Sequence, residues 1–165
     1  MDTAYDTADA AFSRVWNQQS VTWSVAERVA VLLRGLGRSL HEAEFAELVR
    51  AHEQMEVEIQ PSLAPGIVEA LQELRGRYRL GVISDTVFSP GTSLRRILAD
   101  NDLLDAFECF VFSDEAGHAK PAPALFANAA AGLGVAVTEL VHIGDRESKD
   151  IAGPHRVGAR AVLTT

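Results

Sequence analysis

The chain has 165 residues, 47% of them hydrophobic, and a formal net charge of −8. That length fits one domain or a core with a small insertion, and the apolar fraction suffices for a buried core. The acidity argues against nucleic acid, which needs clustered Lys and Arg; no run approaches the roughly 20 apolar residues of a membrane span; and the single cysteine excludes an internal disulfide.

The opening Met1-Asp2-Thr3-Ala4-Tyr5-Asp6 is acidic where a secretory signal is basic and then apolar, so a soluble, cytosolic protein is expected. Ala8, Ala11, Phe12, Val15 and Trp16 recur on one face of a helix. A second helix opens at Ser24 with Glu27 as a capping-box pair, carries Val25, Val29, Leu32, Leu33 and Leu36 on one face, and ends at Gly35 and Gly37. A third opens at Ser39 with Glu42 in the same relation. Phe45, Leu48, Val49 and His52 line it, and Met55, Val57 and Ile59 extend it toward Pro61.

From Pro61 the pattern changes. After Pro65-Gly66, Ile67, Val68, Leu71, Leu74 and Tyr78 trace another helix. Short apolar strands then alternate with helices. The strands are Leu80 to Ile83, Cys109 to Phe112, Leu140 to Ile143 and Arg160 to Leu163; the helices are Thr92 to Asn101 and Ala122 to Gly132. This alternation predicts a parallel sheet covered on both faces. The division is a helical module over 1–62 and an α/β module over 63–165. Cys109, inside Phe107 to Phe112, reads as a buried structural thiol.

Ligands of parallel α/β sheets bind beyond the carboxyl ends of the strands. Ser84-Asp85-Thr86 follows the first strand. Ser113-Asp114-Glu115 and then His118-Ala119-Lys120-Pro121 follow the second, and Gly144-Asp145 through Asp150 follows the third. A hydroxyl, a lysine and two carboxylates at one rim suit phosphoryl chemistry. Singly, each has a plainer reading: Ser84 as a turn hydroxyl, Lys120 as a solvated loop residue, Asp150 at a helix N-terminal end, and His142 as a hydrogen-bonded core residue. No histidine is assigned a catalytic role. Phe12, Trp16 and Trp23 belong to helical stripes and read as core.

In order and spacing these segments resemble three motifs of the haloacid dehalogenase (HAD) superfamily. Leu80 to Thr86 is similar to the second motif, His118-Ala119-Lys120-Pro121 with Ala122 to Phe126 to the third, and His142-Ile143-Gly144-Asp145 through Asp150 to the fourth. Ile151 to Ala159 and the Pro65-Gly66 helix also match, so the resemblance covers nearly the whole chain. It implies a Rossmannoid three-layer parallel sheet with a helical cap at 1–62. It implies that Ser84 and Lys120 serve catalysis, that Ser84, Asp85 and Lys120 hold phosphate, and that Asp145 and Asp150 bind Mg²⁺. Asp85 stands where many relatives carry Asn.

The first motif, an apolar strand running into Asp-x-Asp whose first Asp is the nucleophile, has no match here. In the family that strand is the middle of the sheet, order 5-4-1-2-3, so a truncated, inactive chain is expected, with C-terminal residues missing as well. The leading reading is a Mg²⁺-dependent phosphatase of a small phosphorylated metabolite. The alternatives are a metal-independent haloacid dehalogenase, a non-catalytic binding protein on this fold, and a receiver-like domain, which the helical first third opposes. Oligomeric state stays open.

Overall fold

A computed structural model describes residues 2–164. The first third is helical: α1 (Asp2–Gln19), α2 (Val25–Gly35) and α3 (Glu42–Glu58). Helix α2 begins where the sequence predicts. The Ser24 N–H donates to Glu27 Oε2 at 2.7 Å, and the Glu27 N–H donates to Ser24 Oγ at 3.2 Å. Helix α3 does not open at Ser39. His41 is its N-cap, and the His41 N–H donates to Glu44 Oε2 at 3.0 Å. That start places both Glu42 and Glu44 in the first turn, where their charge suits the helix dipole. At its other end α3 runs to Glu58, through Met55 and Val57. Phe12, 2% exposed, packs against Trp16 and Trp23, and with Val25 and Val29 it forms the core of the α1–α2 pair.

The rest alternates. In order come α4 (Ile67–Arg75), β1 (Gly81–Ser84), α5 (Gly91–Asp100), β2 (Cys109–Phe112), the short α6 (Ser113–Ala116), α7 (Pro123–Gly132), β3 (Val141–Gly144), a π-helical turn Glu147–Ile151, α8 (Ala152–Arg156) and β4 (Arg160–Leu163). Strand β1 pairs parallel to β2, Gly81 beside Cys109 through Ser84 beside Phe112. Strand β3 pairs parallel to β4, Val141 beside Arg160 through Gly144 beside Leu163. These are two separate two-stranded sheets; among the described residues no ladder joins β1 to β3.

Helix α7 packs against both pairs. Leu125 and Ala129 meet Val111, and Phe126 meets Leu133, Leu140 and Ala159; Ile83 and Cys109 touch both clusters. Leu125 and Phe126 are fully buried, each stabilising by roughly 1.5–3 kcal/mol. Close approach demands glycine twice here. A Cβ on Gly132 would lie 2.4 Å from Cys109 Sγ, and one on Gly153 would lie 2.7 Å from the Phe126 ring.

The expected cover on both sheet faces holds only in part. His142 turns toward Phe126, but Val141, Ile143 and Val162 on the opposite face of β3–β4 are 43%, 56% and 48% exposed. Cys109 is half-buried, and burial raises its thiol pKa above the ordinary value. No helix among the described residues is long and apolar enough to cross a membrane.

Candidate active site

The carboxyl ends of β1, β2 and β3 meet at one rim. Ser84 ends β1 and is half-buried. Asp85 follows it and is held twice: Oδ1 accepts the Lys120 backbone N–H at 2.8 Å, and Oδ2 accepts from Lys149 Nζ at 3.1 Å. Lys120 comes from the loop between α6 and α7, next to a cis bond to Pro121. Its ammonium donates to Asp150 Oδ1 at 2.6 Å. So Lys120 links the segment after β1, through its backbone, to the segment after β3, through its side chain.

Asp150, 1% exposed, is the most enclosed charge of the site. Oδ1 also meets His142 Nε2 at 2.9 Å, and Oδ2 accepts the Arg146 N–H at 3.0 Å. Burial pushes the Asp150 pKa up. The hydrogen bonds from Lys120 and His142, the charge of Lys120 and the Arg146 N–H outweigh that, leaving it at about 2. His142 is the hydrogen-bonded core residue that the sequence suggests. Burial lowers its pKa, the bond to Asp150 offsets part of that, and the charge of Lys120 lowers it further. Gly144 is required at the end of β3, since a Cβ there would stand 2.5 Å from Asp150 Cγ.

Lys149 is the residue the sequence reading passed over. It is 6% exposed, pairs with Asp85, and sets its ammonium 3.0 Å from the centre of the Trp16 ring. Burial lowers its pKa, Asp85 raises it, and the nearby Arg146 and Lys120 charges lower it again. The signal was present in sequence as a lysine directly before Asp150; its partner lies 64 positions away, beyond any local pattern.

A second network missed in sequence ties the helical third to the rim. Thr22 Oγ1 donates to Ser113 Oγ at 2.8 Å, and Ser113 Oγ accepts the Thr86 N–H at 2.8 Å. Thr86 Oγ1 donates to Asp114 Oδ1 at 2.8 Å and accepts the Asp114 N–H at 2.9 Å. Asp114 in turn accepts the Gly91 N–H at the start of α5. Ser113, expected in a loop, thus opens a helical turn.

Of the residues singled out in sequence, Asp85, Lys120 and Asp150 are joined by direct bonds, and Ser84 is next to Asp85. Asp145 is apart from them, exposed at the end of β3. The Mg²⁺ implied by the resemblance would need oxygen ligands free to turn toward it. Both enclosed carboxylates are already engaged by donors of the protein, Asp85 by Lys149 and the Lys120 N–H, and Asp150 by Lys120, His142 and the Arg146 N–H. Among the described residues no three His, Cys, Asp or Glu side chains converge. Among the described residues this donor set does not by itself make a Mg²⁺ site.

Comparison with known proteins agrees with the fold. The family model for haloacid dehalogenase-like hydrolases matches residues 3–158. Protein CbbY of Rhodobacter capsulatus is 29% identical over 143 residues, covering 84% of this chain and 63% of that protein. The glyceraldehyde 3-phosphate phosphatase of Pyrococcus abyssi is 36% identical over 99 residues, covering 59% of this chain and 40% of that one. The chain thus spans less than two thirds of the length of either relative. Among solved structures, the magnesium-bound HAD-hydrolase YfnB of Bacillus subtilis superposes with a TM-score of 0.67 at 20% identity, over 99% of this chain and 70% of that one.

Proposed function

The chain belongs to the haloacid dehalogenase-like hydrolase family, and from that footing we propose that it supplies the phosphate-holding rim of a hydrolase of small phosphomonoesters. The observation that carries this reading is Lys120: its backbone binds Asp85 beside Ser84, and its ammonium binds Asp150 beyond β3. One lysine thereby joins the ends of two strands. Its side chain is 14% exposed, and an ammonium has three N–H donors, so Lys120 has donors left for a phosphoryl oxygen. The Ser84 hydroxyl donates to a second oxygen. Asp150 fixes the lysine rather than touching substrate. Residues 1–62 act as a cap over this rim, with Thr22 anchoring the connection through Ser113.

The phosphatase names among the relatives support a phosphate ester as substrate. None of β1 to β4 runs into the Asp-x-Asp that would provide an aspartyl nucleophile. The residues present therefore bind and neutralise a phosphoryl group without forming the covalent intermediate.

The test measures phosphate release from a panel of small phosphomonoesters. It uses this chain and a version carrying, ahead of it, an apolar strand that ends in Asp-x-Asp. The extended protein is expected to turn over, and Lys120→Met and Ser84→Ala to lower its kcat/KM about 100-fold each. Turnover by the extended protein that survives Lys120→Met unchanged would end this reading.

A further inference from the structure

The rim does not exhaust the charge in this region. A cleft of about 660 Å³ opens between α1 and the turn Glu147–Ile151, lined by Trp16, Asn17, Arg146, Glu147, Ser148 and Lys149. Its lining is mixed, and the cations on it are held in place. Lys149 is more than nine-tenths buried and fixed from two sides, by Asp85 at 3.1 Å and by the face of Trp16. The Arg146 guanidinium lies 5.5 Å from the same ring and has no carboxylate partner among the described residues. Asn17 and Ser148 add neutral donors.

The charges around this corner decide the sign of a ligand. Lys120, Arg146 and Lys149 surround two enclosed carboxylates, Asp85 and Asp150, and every oxygen of those carboxylates is taken by a donor of the protein. A cation entering the cleft would meet ammonium and guanidinium groups, behind which the enclosed carboxylates are already paired with Lys120 and Lys149. An anion would meet Arg146 and the remaining N–H groups of Lys149. The one opposing charge on the lining is Glu147, which is exposed and screened by solvent.

We propose that this cleft is an oxyanion site for a phosphate-class ligand, held by Arg146 and Lys149 with Asn17 and Ser148, and that it binds without a divalent cation. In this arrangement the Lys149 ammonium supplies, from within the chain, positive charge beside the strand ends. The proposal rests on the phosphate-ester reading for the identity of the anion, but not for the existence of the site.

The probe is inorganic phosphate, titrated calorimetrically into the chain in EDTA and again in MgCl₂. Saturable binding in EDTA is expected, altered no more than about twofold by Mg²⁺. Arg146→Gln, at an exposed position, should weaken binding about tenfold or more. Because Lys149→Gln alone leaves Asp85 buried and unpaired, its test is the double variant Asp85→Asn/Lys149→Gln, with the same expected loss. Glu147→Gln should tighten binding a few-fold. Binding that appears only with Mg²⁺, that ignores Arg146→Gln, or that weakens in Glu147→Gln overturns the proposal. If Lys120→Met abolishes phosphate binding while Arg146→Gln does not, the rim reading stands and the cleft falls. If the unaltered chain binds no phosphate in either buffer, both fall.

Discussion

Asp150→Asn is the substitution from which the structure predicts most. The asparagine keeps the volume and removes the charge that Lys120 and His142 share. Two routes give the size of the effect. The gap between the ordinary 3.8 and about 2, at about 1.4 kcal/mol per pH unit, amounts to about 2.5 kcal/mol. Independently, removing one member of a buried ion pair costs roughly 3–5 kcal/mol, because it strands the other. Lys120 can partly turn to water, which places the expected loss near the lower figure, about 3 kcal/mol. The sign with pH follows from the lowered carboxyl value. The contribution is present above pH 3.8 and is lost as pH falls through about 2. Urea unfolding followed by circular dichroism at pH 7 measures the first quantity, and the same titration between pH 4 and pH 2 measures the second. Asp150→Asn should be less stable at pH 7 and should lack the steep loss below pH 4 that the unaltered chain shows. A loss under about 1 kcal/mol, with the acid slope intact, would refute the account of Asp150 as the fixed counter-charge of Lys120.

Other outcomes follow from single contacts. His142, with its pKa lowered by burial, is favoured neutral in the fold; stability should be full above about pH 6.5 and decline as pH falls below it, and a melting temperature flat from pH 7 to pH 5 would contradict this. Gly144→Ala drives a methyl into the Asp150 carboxyl and should cost about 2 kcal/mol in urea unfolding, whereas an unchanged midpoint would mean that the β3 end yields freely. Thr86→Val keeps the shape but strands the Asp114 N–H and removes the hydroxyl that donates to Asp114 Oδ1, so about 1–3 kcal/mol should be lost, and near-neutral unfolding would show that water replaces the hydroxyl. Cys109, half-buried with a raised pKa, should react with a thiol reagent at pH 8 more slowly than a free cysteine, and only equal rates would place it in open solvent.

Much of this fold is legible in the sequence. The runs at Gly81, Cys109, Val141 and Arg160 are strands within one residue of the sequence reading, because short apolar runs bounded by glycine and charge leave little choice. The Ser24–Glu27 cap was legible because its signature is local. The Ser39–Glu42 reading failed because two acidic residues, Glu42 and Glu44, offered competing starts. Sequence order brings Asp85, Lys120 and Asp150 to one rim, but not the bonds that hold them, which depend on Lys149 reaching Asp85 and on His142 turning inward. Those are distances in space between residues far apart in the chain. The metal-ligand expectation for Asp145 and Asp150 rests on the family resemblance; the geometry leaves Asp145 exposed and encloses Asp150 among donors.

The separation of the strands into two pairs bears on how this rim behaves. Among the described residues no backbone ladder joins β1 to β3, and helix α7 packs on both. Two ionic struts cross that seam, Lys120 to Asp150 and Lys149 to Asp85, and each ties a residue of the β1–β2 side to one of the β3–β4 side. Charge thus adds to the packing of α7 in tying the two sides together. A molecule that competes for either lysine would loosen one of these ties between residues far apart in the chain.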